Sequence, residues 1–411
     1  MDQAKTLLII GKVWPEPNSS AAGSRMMELI DLFQREGYDI TFATSASNSS
    51  FAADLDEFGV DRASIEMNSS TFNDFVRELQ PDAVMFDRFM TEEQFGWRVA
   101  EECPDAVRIL DTEDLHCLRV VRQNAWKNGK VFTPDMLLDE EVAKREIASI
   151  HRCDLSLIIS EVEYELLQNQ FKVPEDLLYY LPFLMDDFPE KSTVSFEKRS
   201  DFISIGNFLH EPNWNAVQWL KEEIWPLIRK QLPSTKLNIY GAYPTQKVHQ
   251  LHNPKVGFFV HGRAESAGEV ISQARVLLAP LRFGAGLKGK LADAMKFGTP
   301  SLTTTIGAEG ISGSKEWPGA VLDDPLQFAN GAVEFYQNRQ KWEKAQKLGY
   351  KIIKQKFDKK KYADDFLNRL TSLHENLRTH RQKNFTGSML MHHYQQGNKY
   401  MSKWIEEKNK H

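Results

Sequence analysis

The chain is poor in cysteine, has no long apolar run and carries no excess of basic charge, and each lack narrows what it can be. Its three cysteines, Cys103, Cys117 and Cys153, are odd in number and without metal-ligand spacing, which argues against a disulfide framework and against a zinc site. No stretch of about eighteen or more apolar residues occurs, so no membrane-spanning helix is expected. Met1 to Lys5 lacks the basic region and apolar core of a secretory leader, and the expected location is the cytoplasm. With 51 Lys and Arg against 57 Asp and Glu, the formal charge of -6 argues against a general nucleic-acid binder. No G-x-G-x-x-G follows the first apolar run, Thr6 to Ile10, which disfavours a dinucleotide oxidoreductase.

At 411 residues the chain exceeds the usual size of a single core, and two domains with a cleft between them are expected. Short apolar runs alternate with helical periodicity. Thr6 to Ile10, Tyr38 to Ala43, Ala83 to Phe86, Asp154 to Ile159 and Leu177 to Leu181 read as strands, with the start of Val107 to Arg122 as another. Phe72 to Leu79, Met136 to Arg152 and Glu161 to Gln168, the last capped by Ser160, read as helices. This alternation predicts a parallel sheet covered on both faces. Pro182 to Ser200, with prolines, paired acids and no period, reads as a linker. The plan then repeats, with strands at Phe202 to Gly206, Lys236 to Gly241, Val256 to His261, Val276 to Ala279 and Pro300 to Thr304. Helices near Leu326 to Gln337, Lys341 to Lys356 and Lys361 to Arg378 are expected to finish the second domain. The predicted division is therefore 1–185, 200–378 and a tail, 379–411.

Two stretches carry chemistry. Pro280 to Gly310 places a glycine-rich turn, Gly284-Ala285-Gly286-Leu287, between a buried strand and a helix opening near Lys288, which is how a fold holds phosphate. Lys288 and Lys290 add positive charge, and Asp293, one turn further on, can accept hydrogen bonds from sugar hydroxyls. Together they point to a phosphorylated sugar. In the first half, Asp111, Glu113, Asp114 and His116 fall just past the carboxyl end of a strand, the edge where open parallel sheets bind ligands. Gly23 stands where the first helix begins, so its amide can face an anion, or the glycine merely eases the turn. Asp54-Leu55-Asp56 has the form D-x-D but lies in a polar stretch and reads as a solvated face.

Ile205 to Val217 (I-G-N-F-L-H-E-P-N-W-N-A-V) and Gly284 to Pro300 (G-A-G-L-K-G-K-L-A-D-A-M-K-F-G-T-P), followed by I-G-A-E-G, resemble glycosyltransferase family 4. Pro15 to Arg25 and Leu110 to His116 agree, so the resemblance covers about Thr6 to Lys356. It implies the GT-B architecture: two Rossmann-like, doubly wound parallel-sheet domains facing a cleft, here with a helical C-terminal tail. It also implies a retaining, metal-independent transfer from a nucleotide-diphosphate sugar, with no further cofactor. On that resemblance, Gly23 approaches the donor diphosphate, His116 the donor sugar, and Lys288 with Lys290 the diphosphate. Asp293 stands where the family has the second glutamate of its E-x7-E pair, and Ala285 replaces the first. Backbone amides from Ala285 to Leu287 would then serve the sugar hydroxyls. The usual arginine-lysine pair is replaced by Asn207 and Asn213, which leaves Arg282 as a further cation for the diphosphate. Asp111 and Asp114 are candidates for orienting groups.

The acceptor, whether glycan, lipid-linked sugar, protein or small molecule, is not legible, and neither are the donor base and the oligomeric state. A nucleotide-sugar-binding protein without transfer activity and a nucleotide-sugar epimerase are the rival readings. The tail sets Met389, Met391, Tyr394, Tyr400, Met401 and Trp404 among basic residues. That composition fits either docking on the first domain or association with a membrane surface or another anionic partner.

Overall fold

The computed structural model describes residues 5–186, 194–312 and 316–409. Residues 187–193 of the expected linker lie outside the described residues.

Leu7 to Ile10 are almost wholly buried, as a run of consecutive apolar residues must be when both faces of a parallel sheet are covered. They form β1 (Lys5–Gly11), the hub of a seven-stranded sheet with β2 (Tyr38–Thr44), β3 (Asp61–Ser64), β4 (Ala83–Asp87), β5 (Val107–Asp111), β6 (Leu155–Ile158) and β7 (Leu178–Tyr180). The order is β3-β2-β1-β4-β5-β6-β7, and the pairings are parallel. The second sheet comprises β8 (Ser200–Ile205), β9 (Leu237–Tyr240), β10 (Phe258–Gly262), β11 (Ala274–Ala279), β12 (Ser301–Thr303) and β13 (Gly319–Val321). Its order is β10-β9-β8-β11-β12-β13, again with parallel pairings. Each sheet reverses its winding once, between β1 and β4 and between β8 and β11. At such a reversal neighbouring loops part and leave a crevice at the carboxyl edge.

Several expectations are corrected. The helix predicted over Met136 to Arg152 is two pieces, a short turn Pro134–Leu137 and the helix Glu141–Arg152, because Glu140 is extended. Helix Phe89–Glu102 and the short strands β3 and β13 were missed, the strands because each has only three or four residues. Ser160 precedes its helix but makes no side-chain cap bond.

The helix expected to close the second domain leaves it instead. After helix Arg339–Phe357 the chain crosses back, Met185 N–H donating to Phe357 O (2.8 Å) and Lys359 N–H to Met185 O (3.0 Å). Helix Lys359–Glu375 then packs Phe366, Leu370 and Leu373 into the core of the first domain, with Phe366 edge-on to Phe33. The first domain thus has one surface closed by a helix that follows the second domain in the chain.

The tail continues over the first domain. Arg381 binds Asp154 (2.8 and 2.7 Å). Helix Phe385–Asn409 lies on Phe89–Glu102 and Glu141–Arg152, with the Arg152 guanidinium over the Tyr394 ring (4.2 Å) and Arg98 donating to Ser402 (2.9 Å). The contact uses Tyr394 and polar groups. Met389, Tyr400, Met401 and Trp404, which the docking reading would have buried, face outward. Among the described residues no helix is long and apolar enough to cross a membrane.

Candidate active site

The carboxyl edges of the two sheets face each other across a cleft of about 580 Å³. From the first domain come the turn after β1, the start of helix Ala21–Arg35 and the loop after β5. From the second come the turn after β8 and the glycine loop after β11.

The glycine loop is gripped by the first domain. Gly286 has φ +64°, and a Cβ there would stand 2.8 Å from that of Asp114, so both the left-handed backbone and the close approach require glycine. Its N–H donates to Glu163 Oε1 (2.6 Å), which also accepts from Leu115 N–H (3.3 Å). One carboxyl therefore ties the loop carrying His116 to the loop carrying Lys288. Arg122 adds a second clamp, forked onto Glu309 (2.6 and 2.7 Å) and donating to Gly284 O (2.9 Å). Ala285 packs against the core of the first domain while also reaching the cleft lining. Tyr243 donates to Glu16 (2.6 Å) and Arg263 to Ser19 (3.3 Å), closing the other end of the cleft.

The groups in the cleft are tuned mainly by burial. Burial pushes the His116 imidazole down to about 3, so it is neutral despite Asp114 Oδ1 at 3.6 Å from its Nε2. Burial also opposes ionisation of Asp114, but the neighbouring Arg119 guanidinium holds that carboxyl below the usual range. Helix His116–Lys127 begins with its first amides on Glu146, His116 N–H at 3.0 Å and Cys117 N–H at 2.9 Å. Burial lowers Lys288 and brings Lys290 down to about 7. Lys288 donates to Gly286 O (2.8 Å) at the start of helix Gly289–Lys296, and Lys290 to Asn213 Oδ1 (2.7 Å). Both lysines line the cleft with Asp293, which burial raises to about 6. An anion between the lysines would offset the desolvation that depresses them.

The predicted residues divide. Gly23, Asn207, Gly284, Ala285, Gly286, Leu287, Lys288, Lys290, Asp293, Asp114 and His116 all line the cleft. Gly23 does so with its N–H already given to Ser20 Oγ (3.0 Å), and a Cβ there would strike the Glu16 backbone, so it serves close packing rather than an anion. Two further predictions are corrected. Asp111 is fully buried and forked onto Arg25, which also donates to Leu181 O (2.8 Å), so it holds the strand ends together. Arg282 lies between the rings of Trp126 and Trp219 with its Nε on Asn215 (2.8 Å), outside the cleft lining. Glu163, Arg122 and His210 were missed. Their signal is long-range, since Glu163 and Gly286 stand 123 positions apart.

Residues 199–338 match the family model for glycosyl transferases group 1. Over 90% of its length the chain superposes on the whole of HepE from Anabaena, solved with UDP-glucose, at TM-score 0.67 and 12% identity. The fold is GT-B. TarM from S. aureus, solved with UDP and alpha-GlcNAc-glycerol, matches at TM-score 0.57 and 13% identity over 72% of this chain and 57% of that one. In sequence, an uncharacterized 44.6 kDa protein in the cps region of Klebsiella pneumoniae is 21% identical over 215 residues, 51% of this chain. The match spans about half (54%) of that relative. Within the GT-B frame the glycine loop belongs to the second domain and His116 to the first.

Proposed function

We propose that the protein is a retaining glycosyltransferase, which moves a sugar from a nucleotide-diphosphate donor to an acceptor hydroxyl without a metal. The observation that carries this is the glycine loop with Lys288 and Lys290 at a helix start, facing His116 and Asp114 across the cleft. Breaking the bond between the anomeric carbon and phosphate develops charge on the leaving diphosphate. Two buried ammonium groups and preorganised amides stabilise that charge, and a dry cleft strengthens the effect. Asp293 accepts from donor hydroxyls, and neutral His116 offers the donor sugar a hydrogen bond without adding charge. With retention, the acceptor attacks from the face the phosphate leaves, and the leaving oxygen takes the acceptor proton. The UDP-bound relatives of the same fold support the donor class.

A nucleotide-sugar binder without transfer is the second reading, favoured by Ala285 and by the Gly286 amide already spent on Glu163. Thermal shift with UDP, GDP, ADP and their sugar conjugates, with magnesium or with EDTA, tests the first half, because a ligand of the native state raises its stability. A shift with one diphosphate, equal under both conditions, is expected. No shift with any would refute the donor site. Release of free diphosphate from the sugar conjugate in the presence of acceptor sugars separates transfer from binding.

A further inference from the structure

Beyond His116 the first-domain wall carries two residues in a backbone conformation that side chains resist. Arg88, which leads from β4 into helix Phe89–Glu102, has φ +71°, and Glu113, just after β5, has φ +61°. Arg88 N–H donates to Asp111 O (2.8 Å), so the two turns are joined. Such strain persists where the surroundings impose it, and it gathers at ligand sites.

The Arg88 side chain is only 16% exposed, lines the cleft, and among the described residues makes no side-chain hydrogen bond. Its ionic neighbour is Asp87, with Oδ1 3.6 Å from Nε. Lys12 stands beside it, its Nζ meeting Met90 Sδ at 3.8 Å, and burial followed by the Arg88 charge lowers its ammonium. Of the acids nearby, Asp87 is the one left to Arg88, its buried Oδ1 without a hydrogen-bond partner among the described residues, and the others are engaged or uncharged. Asp111 is forked onto Arg25 and Asp114 pairs with Arg119. Asp87 Oδ2 accepts from Lys12 N–H (3.0 Å), and burial raises Glu113 to about 8. Two cations therefore face a cleft with unfilled donors, and a planar anion would satisfy them.

Phe89, the residue after Arg88, packs edge-on against His116 at 5.4 Å between ring centres, while the glycine loop approaches from the other domain. Arg88 thus stands with His116 on the first-domain wall of the cleft, and the lysines stand on the second-domain wall. Lys12 also lines a second cavity of about 800 Å³, with Met67, Met90 and Phe95, into which a longer molecule can run. We propose that Arg88, assisted by Lys12, seats a carboxylate or phosphate borne by the acceptor, so that the acceptor is an acidic sugar or a sugar phosphate. This rests on the donor reading above.

The test begins with protein saturated with UDP, so that the lysines of the second domain are occupied, and titrates glucuronic acid, glucose 6-phosphate and glucose by calorimetry. One or both charged sugars should bind about tenfold or more tighter than glucose, the two separating a carboxylate from a phosphate preference. Arg88→Gln should remove that preference and leave UDP affinity unchanged. Lys12→Glu should weaken charged sugars alone. Equal response to charged and neutral sugars, including none, would overturn the seat, as would a preference that survives either variant. Failure of UDP itself to bind would instead refute the donor reading, and the seat with it.

Discussion

Glu163 offers the sharpest test of how the two domains build one site. Its carboxyl is buried, accepts from Gly286 and Leu115 amides, and is pushed up to about 8, by burial first and the Asp114 charge second. An acid whose folded value is raised contributes most below its unfolded value and costs the fold as pH rises towards the folded one. The window here runs from 4.5 to about 8, at about 1.4 kcal/mol per pH unit. Glu163→Gln keeps an oxygen for both amides and removes the ionisation. It should match wild type near pH 5 and become more stable than wild type by about 3 kcal/mol near neutral pH. Glu163→Ala leaves two amides without an acceptor, at about 1–3 kcal/mol each, and frees the glycine loop. It should lower Tm and weaken UDP binding together, at every pH. Thermal unfolding from pH 5 to 9, with UDP titrations at both ends, reads all of this. A Gln variant that tracks wild type across the range, or an Ala variant with native Tm and UDP affinity, would refute the clip.

Two further outcomes follow from the same geometry. Lys288→Ala should weaken UDP binding by about tenfold or more, the loss of a charge-assisted contact, while Tm moves little because the Lys288 Nζ hydrogen bond found among the described residues goes to Gly286 O in its own loop. Unchanged UDP affinity in folded protein would remove Lys288 from the donor site. Arg122→Ala leaves Glu309 without its partner and should cost about 3–5 kcal/mol by calorimetry, with Arg122→Ala/Glu309→Gln recovering part of it. A double variant no better than the single one would show that the fork is not what joins the domains.

What the sequence disclosed and what it hid divide by distance along the chain. Two doubly wound sheets, the glycine loop and the lysines after it were legible, because each is written in consecutive residues: an apolar run, a glycine, a helix start. Helix Phe89–Glu102 was not, since its buried face includes Thr91, Glu92 and Arg98, which an apolar count passes over. Glu92 and Arg98 are buried only because Arg152 and Ser402 meet them. Asp111 misled for the same reason: a carboxylate at a strand end looks catalytic until Arg25, 86 positions away, is seen to occupy it. Glu163, Arg122 and Arg88 are the converse, ordinary charged residues in sequence that folding places against the other domain or on a strained turn. The local pattern thus supplies the half of the site proposed to bind phosphate, a task backbone amides and a lysine can do within a few residues. The half proposed to seat the acceptor is assembled across strands from side chains whose significance lies in which charges remain unpaired. Lys12 and Arg88 are 76 positions apart and read as nothing together until β1 and β4 lie side by side.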